Sequence, residues 1–229
     1  MHDGNDMAGG AARWPGLVFV HGFADSSKTW EHQLAAFGDR TATAAFDLPG
    51  HVPPGGSPAP GTPTRAGAIA RLDEVVADVR AATGAAIVIV GHSLGGYLAM
   101  CRVARDSSGV AALVLVASGP GFRNDERRRE WNESLREIAE SMGLPPEAAA
   151  VAEQPDAWLM NHVADIAVPA LLVVGEEDVT YHGGMRYLEE RLPAAEPLVV
   201  VPGGRHHVHR THPVAVNAAI EAFLTRLGS

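Results

Sequence analysis

The clearest chemical signal in this 229-residue sequence is a serine set between glycines, G-H-S-L-G at positions 91–95. An apolar run, Ala86–Val90, precedes it, and a stretch with helical character, Leu94–Arg105, follows it. A G-x-S-x-G motif between a strand and a helix is typical of a nucleophile elbow, where a sharp turn projects the serine hydroxyl into a cleft. Glycines permit that turn because they have no Cβ to clash with nearby backbone. We predict that Ser93 is a nucleophile.

A serine hydroxyl is a weak nucleophile, so it needs a neighbouring base. The chain has 11 histidines, and only those in a loop after a strand can reach the carboxyl edge of a parallel sheet. His206 lies between the last apolar run, Leu198–Val201, and the last helical stretch, and is the predicted base. His207, His209 and His212 are near enough in sequence to compete with it.

A carboxylate is needed to hold the tautomer of the base and to stabilise its imidazolium form. Three acids, Glu176, Glu177 and Asp178, follow the preceding apolar run. Asp178 is the predicted partner because one short turn carries it clear of the strand, and the two glutamates are interpreted as solvated loop charges. The order serine, aspartate, histidine along the chain is the order that accompanies a G-x-S-x-G elbow.

Two backbone N–H groups are candidates for an oxyanion hole. The first apolar run ends in a tight turn, F-V-H-G-F at positions 19–23, which presents the N–H of Phe23. The N–H of Leu94 begins the helix after the elbow, and the two together can stabilise a developing oxyanion. The alternative is that His21 and Gly22 only shape the loop.

The cluster H-H-V-H at positions 206–209 could also indicate a metal site. A metal ion needs further ligands at supporting spacing, and the sequence shows none that stands out. We therefore expect neither a metal nor another cofactor.

The elements that must position these groups are short apolar runs of four to seven residues, each bounded by Gly, Pro or Asp. Runs of this kind are typical of strands buried on both faces of a parallel sheet. They are Leu17–Val20, Thr43–Phe46, Ala86–Val90, Ala111–Ala117, Ala170–Val174 and Leu198–Val201. Helical stretches alternate with them, so we predict an α/β fold with a doubly wound, mostly parallel sheet.

Helices are predicted wherever apolar residues recur at helical spacing. They are Thr64–Thr83, Leu94–Arg105, Asp125–Ser141, Pro145–Gln154, Asp156–Val163 and Val214–Leu227. A proline-rich segment, Pro49–Pro63, is predicted to be a loop. The resulting division is a flexible tail at 1–16, a core at 17–120 and 164–229, and a small helical cap at 121–163.

Composition excludes several classes of partner. The 18 basic and 27 acidic residues give a net charge of −9, which argues against nucleic-acid binding. No apolar stretch approaches the ~20 residues of a membrane span. A single cysteine and the lack of a signal-peptide pattern in the first 16 residues favour a cytoplasmic protein. We expect a small-molecule substrate, no membrane or nucleic-acid partner, and a monomer or homodimer.

Taken together, the motifs resemble the α/β-hydrolase superfamily from about Leu17 to Leu227. The matching segments are His21–Phe23, Asp47–His51, Gly91–Gly96, Gly175–Asp178 and Gly204–His206. The resemblance implies Ser93–His206–Asp178 catalysis without a cofactor, and a structural role for Asp47. The antiparallel strand pair that usually precedes the first motif has no room here, so the sheet should be shortened at its start. The last motif reads Gly-Arg-His where Gly-x-Gly-His is commoner.

The branches of this superfamily differ in chemistry. Ser93 excludes those with an aspartate nucleophile. The stretch 119–124 followed by three arginines, 127–129, is similar to the menaquinone-pathway lyases, but those usually carry an arginine where Tyr97 stands. A phenol cannot form a bidentate carboxylate clamp. The predicted function is therefore hydrolysis of a small carboxylic ester, thioester or lactone through an acyl-serine. A triad-dependent lyase and a weakly catalytic small-molecule receptor are the alternatives.

The pocket walls are predicted to come from large side chains of the cap and from the helix after the elbow. The candidates are Trp131, Trp158, Met160 and Tyr97. Tryptophan and methionine can line an apolar pocket, although at helical spacing they often pack against the core instead. For Trp158 the two interpretations have equal weight, and for Trp131 packing is favoured. A small cap predicts small or medium acyl groups.

Overall fold

The computed structural model describes residues 14–51 and 56–228, and its centre is a six-stranded sheet. In chain order the strands are β1 Gly16–Val20, β2 Thr43–Phe46, β3 Ile87–His92, β4 Val110–Val116, β5 Ala170–Gly175 and β6 Val199–Val201. Their order across the sheet is β2-β1-β3-β4-β5-β6, and every described pair is parallel. The predicted doubly wound α/β fold is confirmed, and each strand lies within two residues of its predicted run.

Nine α-helices are present in the described part of the chain. They are α1 Glu31–Phe37, α2 Arg65–Thr83, α3 Leu94–Arg105, α4 Asp125–Ser141, α5 Ala149–Ala152, α6 Trp158–His162, α7 Val179–Arg191, α8 Val208–Thr211 and α9 Pro213–Leu227. Of these, α2, α3, α4 and α9 match their predictions to within one residue. None of these described helices has both the length and the apolar character needed to cross a bilayer.

The helix predictions were wrong in two respects. The predicted helix Pro145–Gln154 is a 3₁₀ turn, Pro146–Ala148, followed by the single turn of α5. Helices α1, α7 and α8 were not predicted at all. In α7 the pair Gly183-Gly184 weakens the helical signal, because glycine is a poor helix former. Packing overrides that preference, since Met185 and Leu188 of α7 are buried in the core.

Both faces of the sheet are covered, which explains the continuous apolar runs. Successive side chains of a strand point to opposite faces. Ile87 and Ile89 of β3 belong to the cluster that α2 and α3 cover, whereas Val88 and Val90 belong to the cluster that α9 covers. The strands thus hold the carboxyl edge of the sheet rigidly beneath the loops that carry the candidate site.

Between β4 and β5 the described chain forms helices and irregular segments only. Helix α4 begins at a capped end, where the Asn124 side chain accepts a hydrogen bond from the Arg127 N–H at 2.9 Å. Leu135 and Ala139 on its inner face are fully buried. This region contains the segment 121–163 for which a cap is predicted.

Residues 1–13, which make up most of the predicted flexible tail, lie outside the described residues. Residues 52–55 of the predicted proline-rich loop do so as well. The last part of the predicted tail is held in place. The Thr41 hydroxyl donates to the carbonyls of Trp14 and Pro15, both at 3.1 Å, and the Arg40 guanidinium lies 3.6 Å from the centre of the Trp14 ring. The strand β1 already begins at Gly16.

Close packing at the elbow predicts that Gly95→Ala destabilises the fold. A Cβ at Gly95 would lie 2.1 Å from the Val20 carbonyl oxygen, and that backbone belongs to the central sheet. We expect a loss of about 3 kcal/mol in the free energy of unfolding, at the upper end of the usual cost of overpacking. Urea denaturation followed by circular dichroism measures this loss.

The matched control is Gly183→Ala in α7, where an added Cβ meets nothing within 4 Å. Replacing glycine by alanine inside a helix should stabilise the protein by about 0.5–1 kcal/mol. Equal effects of the two substitutions would contradict the packing argument.

Candidate active site

Ser93 occupies a strained turn between β3 and α3. Its φ of 50° and ψ of −114° lie outside the regions that residues with a side chain normally adopt. Two hydrogen bonds from the end of β4 hold this conformation. The Ser93 N–H donates to the Val116 carbonyl at 2.9 Å, and the Ser118 hydroxyl donates to the Ser93 carbonyl at 2.8 Å. The turn is the nucleophile-elbow conformation that the sequence predicts.

His206 and Asp178 come together across the loops that follow β6 and β5. The His206 Nδ1–H donates to Asp178 Oδ2 at 2.9 Å, and the carboxylate is only 6 % exposed. In the neutral tautomer that donates from Nδ1, His206 Nε2 carries the lone pair that a base needs. His207 points elsewhere, with its Nε2 3.6 Å from an oxygen of Asp25. The structure thus pairs Asp178 with the predicted histidine and not with its neighbour.

The two glutamates before Asp178 are not merely solvated charges. Glu176 accepts a hydrogen bond from the Gly203 N–H at 2.9 Å, and Glu177 accepts one from Arg205 Nε at 2.8 Å. Both bonds join the β5 loop to the β6 loop. They therefore help to fix the relative positions of Asp178 and His206.

Tyr181 is a site residue that the sequence interpretation missed. Its hydroxyl lies 3.1 Å from Ser93 Oγ, and its ring stacks on the His206 imidazole with centroids 4.4 Å apart. Burial raises the pKa of Tyr181, so the phenol stays protonated. Ser93 Oγ is thus bonded to a phenol and not to His206. Tyr181 was missed because α7 was missed, since it stands one helical turn after Asp178.

The two predicted oxyanion donors open onto one cavity, which Phe23 and Leu94 both line. Among the described residues neither backbone N–H has a protein acceptor. The loop before Phe23 is held by the buried His21, whose Nδ1–H donates to the Gly22 carbonyl and whose Nε2 accepts from the Leu48 N–H. His21 therefore shapes the loop, while the Phe23 N–H remains available to a ligand.

The cavity above Ser93 has a volume of about 400 Å³ and mostly apolar walls, to which five aromatic residues contribute. Of the four predicted pocket residues, Trp131 and Tyr97 line it. Trp158 and Met160 do not. Trp158 packs against the core cluster, stacks on His162, and has the Arg105 guanidinium 4.0 Å from its ring centre. Trp131 thus lines the cavity in addition to packing against the core, whereas Trp158 only packs, because the cavity wall comes from α4 and not from α6.

Few polar side chains face this cavity, and their chemistry differs. Gln154 and Thr180 are neutral, and Arg127, at the start of α4, brings a positive charge to the rim. The Tyr97 hydroxyl accepts a hydrogen bond from Arg65 Nη1 at 3.1 Å. Burial raises the pKa of Tyr97 and keeps its phenol neutral. The arrangement suits a largely apolar ligand with a carbonyl at Ser93.

Comparison with known proteins agrees with this architecture. The model of the alpha/beta hydrolase family matches residues 17–219, and the chain belongs to that family. The resemblance predicted from the motifs is thereby confirmed.

Among curated proteins the chain is similar to 2-succinyl-6-hydroxy-2,4-cyclohexadiene-1-carboxylate synthases. It is 31 % identical over 143 residues to those of Escherichia coli and of Shigella boydii, an alignment covering 61 % of this chain and 52 % of each relative. The chain thus spans about half the length of the curated relatives it matches.

Solved structures show the same fold. The structure of MenH from S. aureus has a TM-score of 0.79 at 19 % identity and covers 94 % of this chain and 95 % of its own. A thermophilic esterase from Thermogutta terrifontis has a TM-score of 0.77 at 22 % identity and covers 94 % and 91 %. Identities this low show the fold alone.

The Ser93–Tyr181 hydrogen bond predicts that Tyr181→Phe makes Ser93 more reactive. The phenylalanine keeps the ring stacked on His206 but releases the serine hydroxyl, which is then free to bond His206 Nε2. One neutral hydrogen bond is worth about 0.5–1.5 kcal/mol, so labelling by a fluorophosphonate should accelerate about 2- to 10-fold. The rate of labelling, followed by intact-protein mass spectrometry, measures this.

Tyr187→Phe is the matched control, because it removes another α7 phenol, one whose hydroxyl contacts Arg123 instead of Ser93. Its labelling rate should equal that of the unmodified protein. Slower labelling of the Tyr181→Phe variant would show that the phenol supports the nucleophile instead of restraining it.

Proposed function

We propose that the protein is a serine hydrolase that cleaves a small carboxylic ester, thioester or lactone through an acyl-Ser93 intermediate. One observation carries the proposal: the strained Ser93 lines the same cavity as Phe23 and Leu94, whose backbone N–H groups have no protein acceptor among the described residues. A strained backbone persists only where the surrounding structure enforces it, and such sites are concentrated where function needs them. The His206–Asp178 pair beside Ser93 supplies the base.

The first half of the reaction acylates Ser93. The hydroxyl rotates from Tyr181 towards His206, whose Nε2 takes the proton as Oγ bonds the substrate carbonyl carbon. The carbonyl oxygen becomes an oxyanion that the N–H groups of Phe23 and Leu94 stabilise. As the tetrahedral intermediate collapses, the bond to the leaving group breaks and His206 returns the proton to the departing alcohol or thiol. Asp178 stabilises the transient imidazolium.

The second half repeats these steps with water. His206 removes a proton from a water molecule, whose oxygen attacks the acyl carbon, and the same two N–H groups stabilise the new oxyanion. Collapse of this intermediate breaks the bond to Ser93 Oγ, which regains its proton from His206. The carboxylic acid then leaves, and Tyr181 can again bond the free serine.

The cavity supports a small or medium acyl group. Its volume of about 400 Å³ lies towards the lower end of the usual range for ligand pockets, about 300–1,000 Å³. The side chains of Phe23, Phe122 and Trp131 offer apolar contacts to such a group. A long acyl chain would have to extend past this wall into solvent.

Ser93→Ala and His206→Ala should each lower the turnover of p-nitrophenyl butyrate by a factor on the order of 10⁵–10⁶. Asp178→Asn should cost about 10⁴, because it leaves His206 in the wrong tautomer. The matched control is His212→Ala, whose side chain bonds Thr211 and lies outside the site. Full activity of the Ser93→Ala variant, or the lack of an acyl-enzyme mass in the unmodified protein, would contradict the proposal.

A second candidate is the synthase reaction that the curated relatives are named for, favoured by their 31 % identity and by Arg127 at the cavity rim. The product in that name carries two carboxylates, which require cationic partners. Arg127 is the one basic side chain that lines the cavity among the described residues. The position of Tyr97 directly after the elbow holds a neutral phenol instead of a cation.

Arg127→Gln separates the two candidates. A charged hydrogen bond contributes about 1.5–3 kcal/mol, so a dicarboxylate substrate of the synthase kind should lose about 10- to 100-fold in kcat/KM. A neutral ester should lose less than 2-fold, because it makes no ion pair. The hydrolase proposal expects the second pattern, together with acyl-enzyme formation. Turnover of the dicarboxylate without an acyl-enzyme, but dependent on both His206 and Arg127, would favour the synthase.

A further inference from the structure

A second cluster of polar side chains includes the residue directly before Ser93, and none of its members lines the cavity. It consists of Asp25 from the loop after β1, His92 at the end of β3 and His209 in α8. One carboxylate oxygen and one nitrogen of each imidazole lie within 4.8 Å of one another. His92 is 1 % exposed and His209 is fully buried. The reaction proposed above does not use this cluster.

Each member of the cluster has one polar atom with no hydrogen-bond partner among the described residues. These atoms are Asp25 Oδ2, His92 Nδ1 and His209 Nδ1. The other polar atom of each side chain is already bonded, to the Ser26 N–H, the His206 carbonyl and the Thr29 hydroxyl respectively. Buried polar atoms nearly always have a hydrogen-bond partner. Three unpaired atoms this close together therefore indicate that a partner is missing.

The hydrogen bonds determine what kind of partner is missing. His92 Nε2 faces a carbonyl, so it must donate, and His92 Nδ1 therefore presents a lone pair. When His209 Nε2 donates to Thr29, His209 Nδ1 presents a second lone pair, and Asp25 Oδ2 adds a carboxylate oxygen. In this tautomer of His209 the cluster presents three acceptors. A water molecule has two protons and can satisfy only two of them, whereas a cation satisfies all three.

The donor set and its surroundings match those of transition-metal sites. Two imidazoles and a carboxylate suit ions such as Zn²⁺. Metal-bound histidines usually donate their second N–H to a carbonyl or another oxygen, as His92 does to the His206 carbonyl, and the Thr29 hydroxyl is placed to accept from His209 in the same way.

Gly22 packs closely against the cluster. A Cβ at Gly22 would lie 2.9 Å from His92 Nδ1, so a side chain at this position would crowd that nitrogen. His207 Nε2, 3.6 Å from Asp25 Oδ2, is placed to serve as a fourth ligand. Bonds of about 2.0–2.2 Å put tetrahedral ligand atoms roughly 3.4 Å apart, so small side-chain rotations would close the set around an ion.

We propose that Asp25, His92 and His209 form a binding site for a divalent transition-metal ion of the Zn²⁺ type. The site has a structural role, because it joins the loop after β1, the end of β3 and helix α8. The sequence expectation of no metal considered only ligands close to positions 206–209. Asp25 and His92 were overlooked because they are distant along the chain, and only the fold brings them to His209.

The test is titration of the full-length protein with Zn²⁺ after removal of metal by a chelator. Isothermal calorimetry should give one ion per chain, and Mg²⁺, which prefers oxygen ligands, should give no signal. At about 100 times the dissociation constant, Zn²⁺ should raise the melting temperature by roughly 5–10 °C. These measurements do not depend on catalytic activity. Failure of the metal-site proposal can therefore be distinguished from failure of the proposed function.

Two substitutions remove ligands while keeping the neighbouring hydrogen bonds. Asp25→Asn retains an oxygen for the Ser26 N–H, and His209→Gln retains an amide at the reach of Nε2 for Thr29. Each should weaken Zn²⁺ binding at least 10-fold. His212→Gln, a histidine of the same segment outside the cluster, should bind as the unmodified protein does. Unchanged affinity in both ligand variants, or equal loss in the His212→Gln variant, would overturn the proposal.

Diffraction at the zinc absorption edge keeps the proposal testable if a variant fails to fold. Crystals of the unmodified protein grown with Zn²⁺ should show an anomalous peak bonded to Asp25 Oδ2, His92 Nδ1 and His209 Nδ1. An ordered water without anomalous signal at this point, or a zinc ion bound only elsewhere, would overturn the assignment.

Discussion

The close approach of α3 to β1 at the elbow is the constraint on which the rest of the site depends. Gly95 lies so near the Val20 carbonyl that no side chain fits between them. This contact, together with the bonds from Val116 and Ser118, holds Ser93 in a conformation that its own backbone disfavours. The free-energy cost of this strained conformation is offset by the packing of the central sheet, which is covered on both faces and keeps its strands in place.

A second close approach between backbones positions His206, the proposed base for Ser93, and its carboxylate partner Asp178. The loops after β5 and β6 touch at Gly175, where an added Cβ would lie 2.3 Å from the Gly204 carbonyl. A hydrogen bond from the Gly203 N–H to Glu176 and an ion pair between Arg205 and Glu177 reinforce that contact. As a result Asp178 meets His206 although neither loop is regular. At both places the glycine has no side chain, and this allows the two backbones to come into contact.

Buried histidines next to Ser93 make the interior beside the candidate active site unusually polar. His92 immediately precedes Ser93 in the chain, and its ring contacts those of His206, His207 and His209. Buried imidazoles in a dry interior are costly unless every nitrogen has a partner. The metal ion proposed above would supply the partners that His92 and His209 do not find among the described residues. It would also tie the elbow to the segment that carries His206.

The sequence by itself determined the features that depend on local pattern. Apolar runs predicted the six strands, and G-H-S-L-G between a run and a helix predicted the elbow at Ser93. Features that depend on side-chain direction across the fold were decided only by the tertiary structure. One such feature is the stacking of Tyr181 on His206, and another is that Trp131, and not Trp158, lines the cavity. A third is the proximity of Asp25 to His92 and His209. Periodicity reports which residues share a face of one element, whereas packing between distant elements decides what that face meets.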